Sequence, residues 1–355
     1  MSDDMRSDDD RLPIFVDSDA GCDDVIALAW LLRCPEARVV GMSSVFGNSS
    51  VQNTTANLLT LLDHLGHDIP LTRGASAPLV YPRTSTGALV HGPDGLWGAQ
   101  EPHDLTGVAE GAPGAIAAAA RANPGLTLLA LGPLTNIARA VQAYPDDLAN
   151  VRLVALAGAR GTGTITPAAE FNVFADPHAL AVVLESKLRV ELVTRDAFQH
   201  MLLDTRLAAR LEAEGSAVGR FLARVLYGYS RAVTHQQGAI AVPDAVATIY
   251  ALYPALGVAV PATVRVVTEG ELTRGQTVIA LSARHQAALA LGTGGVEWLA
   301  SSIASPNFDY EAALREASAR APRNASVVLE IDAPTLGEML EDGLMALSVE
   351  RAVGE

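Results

Sequence analysis

The chain of 355 residues has a single lysine, Lys187, and two cysteines, Cys22 and Cys34. With one ammonium group, any mechanism that needs a lysine in the site must use Lys187. Two thiols exclude a multi-bridge disulfide framework. Long hydrophobic runs are missing too: none reaches the roughly 18 residues of a membrane span, the densest being 25–32 and 126–134. Positive charge is scarce, since 25 basic residues face 40 acidic ones for a formal charge of -15 and a pI of ≈ 4.9. Such a surface repels phosphate backbones and anionic lipid, which argues against nucleic acid and membrane as partners.

The first eleven residues, MSDDMRSDDDR, are acidic where a signal peptide would be basic and then apolar. They read as a disordered, solvated tail of a cytoplasmic protein, with one folded domain over 12–355. A hydrophobic content of 49% against 18% charged is globular and supports a sizeable core.

The chain then repeats one unit. LPIFVD (12–17) is a short apolar strand broken by 18–21, after which a helix runs from Asp23 to about Leu32. A strand over 39–44 leads to a helix over 50–65, and 126–131 leads to a helix from Leu134. A strand over 152–157 is followed by a long Gly/Thr loop. Repeated units of this kind predict an α/β fold: a single-domain, open, mainly parallel sheet flanked by helices, with a Rossmann-like core. The stretch 205–233 has helical spacing and is expected to cover the open end of the sheet. Residues 238–241 read as a loop before a helix opened by Pro243 and Asp244. Strands near 262–267, 278–281 and 326–331 and an amphipathic helix over 334–347 complete the layout.

Ligands of parallel α/β sheets sit outside the carboxyl ends of the strands. There the sequence puts Asp17, Asp19, Asp23 and Asp24, within eight residues. Like charges that close raise one another's proton affinity unless a cation neutralises them, and a hard, oxygen-loving ion such as Ca²⁺ or Mg²⁺ suits carboxylates. The bland alternative is a capped helix with solvated acids. An EF-hand register from Asp17 fails, because it needs glycine at its sixth place and glutamate at its twelfth, where Cys22 and Leu28 stand. A haloacid-dehalogenase-type phosphatase also opens with Asp-x-Asp after a strand and remains a rival, weakened because it needs a lysine to hold the phosphoryl group and the single Lys187 lies between an expected helix and strand. Further polar residues fall at other strand ends: Asn48, the Leu131–Ala138 segment, Glu170 with Asn172, and Asp244.

DSDAGCDD (17–24) resembles the Asp-x-Asp-Pro-Gly-x-Asp-Asp signature of the inosine–uridine preferring nucleoside hydrolases. Gly47–Asn48, HGPDGL (91–96), GPLTNIA (132–138), TPAAEFNVFADP (166–177) and Asp244 follow in the family's order, so the resemblance spans about Leu12 to Leu347. It implies calcium-assisted hydrolysis of the N-glycosidic bond of a small-molecule nucleoside, to free base and ribose, by a homodimer or homotetramer. The implied calcium ligands are Asp19, Asp24, Asp244 and the Leu131 carbonyl, with Asp19 also the general base for the attacking water. Asp23, Asn48 and Asn172 would bind the 2′- and 3′-hydroxyls and Glu170 the 5′ end, while Asp17 orients the loop. The implied transition state is oxocarbenium-like.

The chain also departs from the pattern. Where many members have a leaving-group histidine, this one has Pro243; His91, which resembles a histidine of pyrimidine-preferring members, is the first substitute and His235 the second. Trp97 and Tyr229 are candidates to stack on a base. Thr164 stands where the family has an asparagine at the sugar's 5′ end, which implies altered recognition of that end. Ala20 replaces the signature's proline and is expected to loosen the loop, and Ala280 stands where the family often has an aspartate. A lapsed hydrolase that only binds ribose or nucleoside is the non-enzyme alternative.

Overall fold

The computed structural model describes residues 11–82, 87–233, 238–303 and 309–349. Its strands are β1 (Leu12–Ser18), β2 (Ala37–Ser44), β3 (Leu71–Arg73), β4 (Ala109–Glu110), β5 (Thr127–Ala130), β6 (Arg152–Leu156), β7 (Arg189–Val193), β8 (Leu202–Asp204), β9 (Ala239–Ala241), β10 (Gly257–Val266), β11 (Thr277–Ala280) and β12 (Ala325–Ile331). Ten of them form one sheet in the order β11-β10-β12-β7-β6-β5-β1-β2-β3-β4. From β12 to β4 every pairing is parallel, and β10 runs antiparallel to both of its neighbours.

The central strands alternate with period two between two cores. Ile14 and Val16, Leu129, and Val154 and Leu156 pack into one cluster, with the helices Cys22–Arg33, Ala217–Val233, Pro243–Leu252 and Ala333–Val349. Phe15, Leu128 and Ala130, and Leu153 and Ala155 face the other, with helices Ala112–Ala122, Thr135–Ala143 and Pro177–Leu184. Burial on both faces is why these strands read as continuous apolar runs, and it confirms the expected α/β class.

The order of the strands fixes where a ligand fits. The chain builds outward from β1 through β2, β3 and β4, then returns to the other side of β1 for β5, β6 and β7. The reversal lies between β1 and β5, and the crevice outside their carboxyl ends is the expected binding place in such sheets. There the Leu131 N–H donates to the Asp17 carbonyl at 2.8 Å, closing the two strand ends together.

Most expected elements are present with ends moved by a residue or two. Ser50 caps its helix through a bond from the Asn53 N–H, so the helix itself runs Val51–Leu65. One expectation is corrected: 239–241, read as loop, is β9, paired antiparallel with β8 in a two-stranded ribbon. Three residues are too few to show an alternating pattern. The Ala-rich helix Ala112–Ala122 was not anticipated. Ala280 is buried on β11 opposite Thr263. The acidic tail lies outside the described residues save Arg11. Among the described residues no helix is long and apolar enough to cross a membrane.

Asn136, fully buried in the helix Thr135–Ala143, ties the switch point together. Its amide donates to Asp17 Oδ1 at 2.7 Å and to the Ser44 carbonyl at 3.0 Å, while its Oδ1 accepts the Ala75 N–H at 2.9 Å. Asn136→Ala leaves several buried polar groups unmatched and is expected to cost about 3 kcal/mol of stability. Urea unfolding of the variant beside the wild type measures it, and a loss below about 1 kcal/mol would contradict this bracing role.

Candidate active site

β1 ends at Ser18, and the next three residues turn sharply into the helix Cys22–Arg33. The turn is held by the acid that closes it. Ser18 Oγ donates to Asp24 Oδ1 at 2.6 Å and accepts the Ala20 N–H at 2.9 Å, while the Gly21 N–H donates to Asp24 Oδ2 at 2.9 Å. Asp23 and Asp24 thus occupy the first helical turn, where exposed N–H groups favour negative charge. Gly21 is required by close approach, since a Cβ there would lie 2.5 Å from Asn48 Nδ2 and 2.6 Å from His91 Nδ1.

Ala20 takes a backbone conformation that the signature's proline cannot. Its φ of +34° lies in the left-handed region, which a proline ring cannot enter. The loop therefore follows a path closed to the proline of the signature. The acids on either side remain buried in the site.

Asp19, Asp23, Asp24 and Asp244 are all buried, Asp244 by its place in the first turn of Pro243–Leu252. Oxygens of Asp23, Asp24 and Asp244 converge within 4.8 Å of one another. Asp19 is not in that triplet, and Asn48 engages its oxygens: the backbone N–H reaches Oδ2 at 2.8 Å and Nδ2 reaches Oδ1 at 3.1 Å. Asn48 Nδ2 also lies 3.1 Å from Asp24 Oδ2. Burial and the neighbouring Asp24 raise the proton affinity of Asp19 well above the ordinary carboxylate range. Burial and Asp23 push Asp24 up to about 8, and burial with Asp24 and Asp23 raises Asp244 strongly. Asp23 Oδ1 and Asp244 Oδ1 are buried with no hydrogen-bond partner. Unpaired acceptors beside crowded, desolvated carboxylates are a cradle for a hard cation.

Asp17 stands below this group as expected of a supporting acid. Ser43 Oγ and the Asn136 amide both donate to its Oδ1, and burial raises it to about 6.

Across the crevice, Asn172 donates its amide to the carbonyls of Leu131 at 2.8 Å and Leu156 at 2.9 Å. Its Oδ1 has no partner. The Leu131 carbonyl thus stands at the crevice, already accepting one bond. Glu170 caps the helix Phe171–Ala175, accepting from the N–H groups of Asn172, Val173 and Gly158 at 2.8, 3.1 and 3.0 Å. Burial still raises it to about 7 against those bonds. Thr164 Oγ1 accepts the Phe171 N–H at 2.9 Å, which leaves its own proton free to donate.

His91 forms the opposite wall. Its Nδ1 accepts the Cys22 N–H at 3.1 Å, so the neutral ring carries its proton on Nε2. Burial lowers its pKa, partly opposed by Asp23, whose Oδ1 is 3.6 Å from Nδ1. Tyr229 stacks on this ring at 5.6 Å and 19°. The Tyr229 hydroxyl is 3.0 Å from the Ala241 carbonyl and 3.2 Å from Asp23 Oδ2.

All these walls enclose one cavity of about 730 Å³. Asp19, Asp23, Asn48, His91 and Leu131 line it together, and so do Thr164, Glu170, Asn172 and Asp244 from later in the chain. Asp24 joins through its neighbours. His235 lies outside the described residues. Of the two aromatic candidates, Tyr229 lines the cavity, whereas Trp97 packs against Gly228 and donates Nε1–H to the Val90 carbonyl. Lys187 is 71% exposed, pairs with Asp146 and precedes the amino end of β7, away from the acids. The phosphatase alternative therefore lacks its lysine. The sequence reading missed Arg195, which also lines the cavity; its place just after β7 was the available signal.

A family model described as inosine-uridine preferring nucleoside hydrolase matches residues 14–338. The non-specific ribonucleoside hydrolase RihC of Escherichia coli O1:K1 / APEC is 37% identical over 307 residues, 83% of this chain and 99% of that protein. That of Klebsiella pneumoniae (strain 342) is 38% identical over 277 residues, 77% of this chain and 90% of that protein. Among solved structures, an inosine-guanosine nucleoside hydrolase superposes with a TM-score of 0.77 at 26% identity, covering 94% of this chain and 99% of that one. A plant nucleoside hydrolase, PpNRh1, shares the fold with a TM-score of 0.78 at 23% identity and the same coverage. Matches of this extent show that the chain belongs to the inosine-uridine preferring nucleoside hydrolase family, enzymes that hydrolyse the N-glycosyl bond of nucleosides.

Proposed function

We propose that the protein hydrolyses ribonucleosides to free base and ribose with the aid of Ca²⁺ held by the buried acids. The observation that carries this reading is the convergence of Asp23, Asp24 and Asp244, with buried acceptors left unpaired, at the crevice between β1 and β5. An all-oxygen donor set, with Asp19 and the Leu131 carbonyl at its margin, suits calcium better than a softer metal. Bound there, the ion would offset the carboxylate charge, grip the sugar diol and make water a better nucleophile.

The side chains divide the remaining work. Asp19, held by two bonds from Asn48 and raised in proton affinity by burial and Asp24, is oriented to take the proton of the attacking water. Its retention supports an enzyme over a lapsed binder. Asp23, Asn48 and the free Asn172 Oδ1 face the hydroxyls of the sugar, and the negative wall favours the positive charge that builds on the ring. Pro243 has no donor for the departing base. His91 has one: with Nδ1 engaged by the Cys22 N–H, the neutral ring offers its Nε2–H as a hydrogen bond to the leaving group, whose proton comes from solvent. We extend the proposal, on the sequence reading alone, to a pyrimidine preference, a cytoplasmic location and assembly as a homodimer or homotetramer, the last checked by light scattering.

Ribose release from uridine and inosine is expected in calcium and to be lost after EDTA. Asp244→Asn should lower bound calcium in elemental analysis; an unchanged content would remove Asp244 from the ligands.

Asp19→Ala is expected to reduce kcat by about 10²–10⁴ with little change in ribose affinity. Turnover within about tenfold of wild type, about 1.4 kcal/mol of barrier, would assign the base elsewhere.

His91→Ala should slow uridine hydrolysis far more than that of a p-nitrophenyl riboside, whose leaving group needs no help. Equal losses on both substrates would place His91 in packing instead.

A further inference from the structure

The polar ends of the cavity differ in sign, and the sheet order says how. Along the carboxyl edge run β2, β1, β5, β6 and β7. The acids sit over β1, with Asn48 and His91 on the β2 side. Arg195 follows β7, three strands from β1 or about 14 Å along the edge. Half-buried, Arg195 is the one arginine or lysine among the described residues lining the cavity. Its Nη1 donates to the Thr162 carbonyl at 3.2 Å, and among the described residues it has no carboxylate partner. The acids nearest this end are engaged elsewhere: Glu170 by three backbone N–H groups, and Asp196 Oδ2 by the Arg160 N–H at 2.7 Å. Thr164, on the same wall, keeps a free hydroxyl proton.

Ribose chemistry turns this polarity into a substrate class. The C2′–C3′ diol edge separates C1′, which bears the base, from C4′, which bears the 5′ carbon. With the diol on the acids and the base toward His91, the 5′ substituent points to Thr164 and Arg195. A guanidinium with unused donors in a planar fork there matches the oxygens of a phosphate monoester. Resting on the function proposed above, we propose that Arg195 makes this site a hydrolase for nucleosides carrying an anionic 5′ group, a nucleoside 5′-monophosphate being the type. The reaction balances without a co-reactant. Water oxygen bonds to C1′, and the C1′–N bond breaks with its electron pair leaving on the base. One water proton passes to Asp19 and returns through solvent to the departing base, whose developing charge the His91 Nε2–H meanwhile holds, giving ribose 5-phosphate and free base.

The test compares uridine with uridine 5′-monophosphate, and inosine with inosine 5′-monophosphate, on the full chain in calcium. The expected kcat/KM is at least tenfold higher for the monophosphates. Arg195→Gln should erase that ratio and Arg195→Lys keep part of it; a purely structural Arg195 would lower both rates and leave the ratio intact. Hydrolysis of the nucleosides without preference for the monophosphates, or a preference that survives Arg195→Gln, overturns the inference while leaving the nucleoside hydrolase reading in place. Calorimetry with ribose and ribose 5-phosphate gives a readout independent of turnover. If neither substrate is hydrolysed, tighter ribose 5-phosphate binding that Arg195→Gln abolishes upholds the anion site while the hydrolase reading falls. Equal binding of the two sugars overturns the anion site as well.

Discussion

Holding Asp19, Asp23, Asp24 and Asp244 together out of water is the constraint to which the surrounding structure answers. Each desolvated carboxylate resists ionisation and each raises its neighbours, so the group is stable only if protons or a cation share it. Backbone and side-chain donors supply part of the compensation: Ser18 and Gly21 bind Asp24, and Asn48 binds Asp19. They stop short of Asp23 Oδ1 and Asp244 Oδ1. The unfinished part of the hydrogen bonding thus belongs to acids that line the cavity, and the finished part keeps the carboxylates from turning away.

The same logic extends below the site. Asp17 sits on the last turn of β1 with Ser43 from β2 and Asn136 from the helix after β5. Those partners come from both sides of the switch point, so the bracing of one acid also fixes the distance between the two halves of the sheet. Fold and site share these bonds, and a loose switch point would blur the geometry of the acids above it.

Local chemistry explains what could be read from the sequence. Asp17 through Asp24 were legible because a strand, a break and a helix in eight residues leave little doubt about which end of the strand they occupy, and parallel sheets bind ligands at that end. Asn48, Asn172 and Asp244 were legible as positions after successive strands. Their partners were not. That Asn48 grips Asp19, that Glu170 caps its own helix, and that Tyr229 lies flat on His91 depend on how distant segments meet. The β8–β9 ribbon escaped notice because a three-residue strand carries no period. Arg195 escaped for a different reason: one arginine after a strand is ordinary until the cavity wall is seen.

The placement of His91 bears on how the proposed mechanism works with a proline, Pro243, just before Asp244. A proline there keeps the helix start well formed, since its missing N–H is one the first turn would leave unpaired anyway, and so Asp244 keeps its place in the first turn. In the proposed mechanism, placement of Asp244 and assistance to the leaving base are thereby separated onto different elements. His91 would take up the second task by hydrogen bonding, with its Nδ1 anchored to Cys22, one residue before Asp23. His91, Asp23 and Asp24 are fixed by the same helix start, so motion of one carries the others, and Gly21 leaves the room for them to meet. A donor anchored in this way keeps its orientation to the acids as base and sugar separate.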